Sequence, residues 1–215
     1  MSKGTRILIS CYYRESKMHQ EYLAYAFLFL ILGVIFYFYY DKSGFELKCI
    51  VSTVDGNKYC VREREKMQEA ADLLAKVANK GSKLVDYLKN KFPDKDLVQR
   101  LSSNFRPDKI VENLPTSKYT AYSENKGQKM AFCLNKKKDG DTMIDEHTAF
   151  FVMAHEMAHT ATKSIGHKDE FWENFKFLLT HAKEAGLHDP QDYKNEPVEY
   201  CSMQITDNPY YDYNS

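Results

Sequence analysis

The chain has 215 residues, 43% of them hydrophobic, and its 30 Lys and Arg balance 30 Asp and Glu. A neutral chain lacks the basic footprint of a nucleic-acid-binding domain, and residues 41–215, with 26 Lys and Arg against 28 Asp and Glu, lack it too. That stretch is long enough for a single core and short for two.

Residues 1–21 read as a short N-terminal tail carrying Lys3, Arg6, Arg14 and Lys17. Residues 22–40, YLAYAFLFLILGVIFYFYY, contain no charge. As a helix they would extend roughly 28 Å, the depth of a hydrocarbon core. Tyr22 and Tyr25 stand at one end and Tyr37, Tyr39 and Tyr40 at the other, as interfacial anchors do. The run is too long for a signal-peptide core and no small-residue cleavage site follows it, so a single-pass membrane anchor is expected. Basic residues flank it on both sides and barely favour an N-terminus inside. The absence of any N-x-S/T sequon leans the other way, toward a cytosolic domain.

Within residues 41–215, expected to be one domain, Asp55-Gly56 marks a hairpin between strands 47–54 and 58–62, flanked by Cys49 and Cys60. These two cysteines can bridge or stay as buried thiols, and the four cysteines beyond the span allow at most two disulfides. Residues 62–92 read as helix, with a break at Gly81-Ser82, and a second helix covers 94–105. Strands follow at 118–123 and 128–134 around Glu124-Asn-Lys-Gly127. Lys136, Lys137 and Lys138 read as a solvated loop, and Asp145 or Thr142 can cap the next helix.

That helix carries His155-Glu156-Met157-Ala158-His159, and no Pro or Gly interrupts 143–165. Histidines at i and i+4 stand one above the other on one helical face, so both imidazoles can reach one tetrahedral metal. Glu156 lies about 100° further round the helix, where it can act as general base. Phe150, Met153, Ala154, Met157, Ala158 and Ala161 form an apolar face beside the histidines. After a turn at Gly166, His167 is the candidate third ligand. The competitors are Glu170, Glu173 and Glu184 on the following helix, 168–185, whose Phe171, Trp172, Phe175, Leu178, Leu179 and Ala182 read as core packing. Past Gly186 the chain is irregular and aromatic. Tyr193 and Tyr200 are candidates to polarise a scissile carbonyl, and Met203 a candidate floor beneath the site.

HEMAHTATKSIGHKDEFW resembles the active-site stretch of the WLM and SprT-like zincin metallopeptidases over about thirty residues. His167 lies eight residues after His159, where that group usually has six. The order of membrane segment, hairpin, helical region, YTAYSENKGQKMAFCLN and DNPYYDY resembles uncharacterised single-pass membrane proteins of large eukaryotic DNA viruses. The zincin resemblance implies an α+β, zincin-like domain with helices and a small sheet. It also implies Zn2+ held by His155, His159 and His167, and peptide hydrolysis with Glu156 as base. In zincins an edge strand just before the active-site helix forms the rim of the cleft and binds an extended peptide; 129–134 has that place in the order and reads equally as an ordinary sheet strand. Expected partners are a polypeptide substrate and, through residues 22–40, a host or virion membrane. Nucleic acid is not expected. The alternative is a catalytically silent, membrane-anchored structural or interaction protein whose zinc only stabilises the fold.

Overall fold

The computed structural model describes residues 21–38 and 46–211. The tail before Glu21, the last two positions of the expected span, residues 41–45 and the last four residues lie outside the described residues. The chain divides into two compact units, Met1–Gly44 and Phe45–Ser215.

In the first unit, α1 (Glu21–Phe38) is one continuous helix with exposed side chains, long and apolar enough to cross a membrane.

The second unit is a mixed α+β domain of helices with a small sheet, as expected. Strands β1 (Leu47–Val51) and β2 (Lys58–Arg62) form the expected antiparallel hairpin, with Cys49 directly opposite Cys60. The chain then crosses through α2 (Met67–Lys91) and α3 (Asp96–Asn104) to β3 (Ile110–Glu112), which pairs parallel to β2. Strand β4 (Ala121–Glu124) pairs antiparallel with β5 (Lys129–Phe132), and β5 pairs parallel with β3. The resulting order is β1-β2-β3-β5-β4. Strand β5 is therefore interior and β4 forms the edge, so of the two readings of 129–134 the ordinary sheet strand holds and the rim strand is corrected. The cause is β3, three residues with no alternating pattern to mark them, which occupies the far side of β5. A buried ion pair secures the β2–β3 junction: Arg64 Nη2 lies 2.8 Å from Glu112 Oε1, and Glu112 Oε2 accepts from the amide of Arg62, also at 2.8 Å.

The expected break at Gly81 is also corrected, because α2 runs through it without interruption. A Cβ at Gly81 would sit 2.9 Å from Met153 Cε and from Phe105 Cζ. The glycine is there for close packing against the neighbouring helix.

That neighbour, α4 (Glu146–Ala161), starts at Asp145, which caps it by accepting from the Thr148 amide (2.9 Å) and hydroxyl (2.8 Å). It packs against α2, α3, α5 (Asp169–Glu184), β4 and β5. A helix enclosed on so many sides must be apolar nearly all round. In α4 only Glu146, His147, His155 and His159 escape burial, so past the first turn the two histidines are its most exposed side chains. On α5, Phe171, Phe175, Leu178, Leu179 and Ala182 are buried as expected, while Trp172 is not. A hairpin of β6 (Val198–Tyr200) and β7 (Met203–Ile205) closes the unit. Disulfides join Cys49 to Cys60 and Cys133 to Cys201, the latter across a Cα–Cα distance of 6.0 Å.

Candidate active site

Helix α4 presents His155 and His159 one turn apart, and the turn at Gly166, whose φ of +82° is left-handed, sends the chain back so that His167 faces both. The three Nε2 atoms converge: His167 lies 3.0 Å from His155 and 3.1 Å from His159. A tetrahedral zinc with Zn–N bonds of about 2.0–2.1 Å separates its ligand atoms by about 3.3 Å, so the three imidazoles stand close to the spacing such an ion requires. Among the described residues no carboxylate joins this group.

The electrostatics suit a cation. Burial, reinforced by His159 and His167, pushes His155 down to about 3. Burial, His167 and Lys126 push His159 down to about 4. Both rings are thus neutral at physiological pH and offer lone pairs, the form in which imidazole binds a metal. Burial pushes Glu156 up to about 7. Its Oε2 is buried without a hydrogen-bond partner. Such an atom is costly unless something is meant to meet it, which fits a carboxylate awaiting a proton or a polar ligand.

The alternative ligands are committed elsewhere. Glu170 accepts from the amides of Lys163 and Ser164, and those bonds hold it down at about 2. Glu184 accepts from Lys91 at 2.6 Å and meets His181 Nδ1 at 2.6 Å. Glu173 is exposed on α5.

The histidines and Glu156 open into a cleft of about 800 Å³. One side is the edge strand and its approach, Tyr119 to Ser123; the other is the β6–β7 hairpin and the residues after it, including Asp207 and Pro209. Phe151, Val152 and Phe175 form apolar walls, and Tyr119, Ile165, Trp172 and Met203 make an exposed apolar rim. Tyr200 lines the cleft, its hydroxyl donating to the Thr120 carbonyl at 3.2 Å. Burial raises its pKa. Tyr193 is fully buried, its ring 4.9 Å from Phe151, and it does not line the cleft. Met203, half exposed on the cleft wall, is not the buried floor expected of it.

Sequence reasoning missed the contributions of Tyr119, Trp172 and Asp207. Exposed Tyr119 and Trp172 read as strand and core positions, and Asp207 sits in a stretch without periodicity.

The chain is 30% identical over 184 residues to uncharacterized protein R325 of Acanthamoeba polyphaga mimivirus, covering 84% of this chain and 92% of that one. It belongs to that protein's family. Shorter matches are 39% identical: 70 residues of uncharacterized protein 136R of Invertebrate iridescent virus 6, covering 32% of this chain and 39% of the relative, and 59 residues of 042R of Invertebrate iridescent virus 3, covering 27% and 36%. These relatives are uncharacterised proteins of large DNA viruses, in keeping with the second resemblance. No family model matches the chain. Among solved structures, Wss1 from Saccharomyces cerevisiae is similar over 59% of this chain and 87% of its own, at 18% identity and a TM-score of 0.44.

Proposed function

We propose that the unit Phe45–Ser215 is a zinc-dependent peptidase of zincin-like architecture, tethered through α1 to a membrane as a single-pass protein. The observation that carries this reading is the convergence of three imidazole Nε2 atoms beside a buried carboxylate oxygen with no partner, at the base of an open cleft. A site that only stabilises a fold has no use for such a carboxylate.

His155, His159 and His167 would hold the ion through Nε2. Zinc, when bound, supplies a Lewis acid that polarises a carbonyl and acidifies water. Glu156 takes a proton from the attacking water and returns it to the leaving amine. Tyr200 is the candidate to donate a hydrogen bond to the developing oxyanion, exchanging its bond to Thr120 for one to substrate. Tyr193, behind Phe151, is set aside. An extended polypeptide would add to the outer edge of β4. The apolar walls at Phe151, Val152 and Phe175 favour a bulky apolar side chain next to the scissile bond.

The two disulfides support a domain on the oxidising side of its membrane, opposite to the lean drawn from the missing sequons.

Glu156→Gln keeps the size of the side chain and removes the base. It should lower cleavage of unfolded polypeptide about a hundredfold or more while zinc content and the thermal transition stay put. Undiminished cleavage by that variant, or a peptide-library screen in which the zinc-loaded parent cuts nothing, would contradict the reading.

A further inference from the structure

The segment 162–168 joins α4 to α5 and carries His167 without a helix or strand of its own. A histidine on such a segment meets two rigid helical histidines only if the backbone beneath it is held. Two side chains from different elements hold it. From α5, Glu170 accepts the amides of Lys163 and Ser164, each at 3.0 Å. From the β4–β5 turn, Lys126 Nζ donates to the carbonyls of Thr162 at 2.8 Å, Ser164 at 3.0 Å and Lys163 at 3.5 Å.

Lys126 reaches that position at a conformational cost. Asn125, Lys126 and Gly127 have φ of +46°, +57° and +108°, the region that side-chain-bearing residues rarely adopt. A Cβ on Gly127 would lie 2.7 Å from Thr160 Cγ2, so the turn is pressed against the last turn of α4. This contact sets the ammonium at the C-terminus of the helix, where carbonyls lack intrahelical partners and a cation is favoured. Arg100 completes the arrangement, donating from Nε to the Ala161 carbonyl at 2.8 Å.

We propose that Lys126 and Glu170 are positioning residues of the metal centre, together fixing the 162–168 segment so that the His167 imidazole meets those of His155 and His159. The inference rests on the metal-centre reading above. Holding the segment in place before the ion arrives removes an ordering cost that a loose ligand would bear on binding. Lys126 also belongs to the turn that ends the edge strand, so the third ligand and the strand proposed to bind substrate are tied to the same residue.

Zinc affinity of the full chain in detergent, measured by chelator competition, tests this. Lys126→Met and Glu170→Gln should each weaken binding about ten- to hundredfold, the range typical of residues that orient ligands. Made on a His167→Ala background, the same changes should move affinity by less than about twofold, since the ligand they position is gone. Lys126→Arg, which keeps the donors, should recover most of the loss. The sign at Lys126 is decisive. If its charge acted only through space, removing a cation beside His159 would tighten zinc, so equal or tighter binding by Lys126→Met overturns the inference. So do losses of the same size on the His167→Ala background. Should Lys126→Met fail to fold by circular dichroism, Lys126→Gln is read in the same way. A parent chain that binds no zinc removes both the metal-centre reading and this inference; a parent that binds, with unmoved variants, removes this inference alone.

Discussion

Glu156 and the histidines beside it have opposite protonation problems, and the fold answers both with burial. Burial keeps His155 and His159 neutral down to about 3 and 4, so proton competition for an ion at those two ligands stays weak above roughly pH 5. Burial raises Glu156 to about 7, and a cation bound nearby would draw it down again. A general base works unprotonated, so kcat/KM per bound zinc, with zinc content measured in the same samples, should fall with falling pH along a limb centred below pH 7. Rates that rise as pH drops from 7 to 5 would exclude Glu156 as the base. At this scale the motif was legible in full, because i, i+4 spacing fixes the relation of His155 to His159 wherever a helix forms. The clamp from Lys126 was not. Its partners are backbone carbonyls 36 to 38 positions away, and no residue type in the sequence announces a carbonyl.

At the scale of elements, burial class was easier to read than pairing. The apolar face of α4 and, apart from Trp172, the core stripe of α5 followed from periodicity, and the β1–β2 hairpin from Asp55-Gly56. The sheet order did not follow, since β3 offers three residues and its pairing to β5 is decided by the crossover through α2 and α3. Glycines illustrate the same limit. Gly81 read as a helix break, yet it admits Met153 and Phe105, a tertiary reason invisible locally. Gly56 and Gly127 both have left-handed φ, but a Cβ at Gly56 meets nothing within 4 Å while one at Gly127 meets Thr160 and the Asn104 carbonyl. Gly56→Ala should therefore cost about 1 kcal/mol of conformational strain, and Gly127→Ala about 2–4 kcal/mol, with overpacking added to the strain. Chemical denaturation of both variants checks this, and equal losses would mean that the turn does not press on α4.

For the whole molecule, the disulfides were legible only as an upper limit on their number. Pairing Cys133 with Cys201 required knowing that the turn after β6 returns to the end of β5, where the Cys201 amide donates to the Asn135 carbonyl at 2.9 Å. That bond closes a separation of 68 residues and Cys49–Cys60 one of 11. By loop entropy the two would contribute about 4 and about 3 kcal/mol, so the Cys133→Ala/Cys201→Ala pair should lower the denaturation midpoint more than the Cys49→Ala/Cys60→Ala pair. The longer link also anchors the hairpin carrying Tyr200 and Met203, one wall of the cleft. Thiol labelling of the membrane-inserted chain should find these four cysteines protected until a reductant is added; free thiols there would place the domain on the reducing side. Beneath all of this lies the claim that three histidines hold one zinc beside Glu156, and x-ray absorption at the zinc edge of the purified full chain tests it most directly. The expected spectrum has one zinc per chain with three imidazole nitrogens and one oxygen at about 2.0–2.1 Å. A sulfur shell near 2.3 Å, or stoichiometric zinc kept by the His155→Ala/His159→Ala chain, would contradict the account.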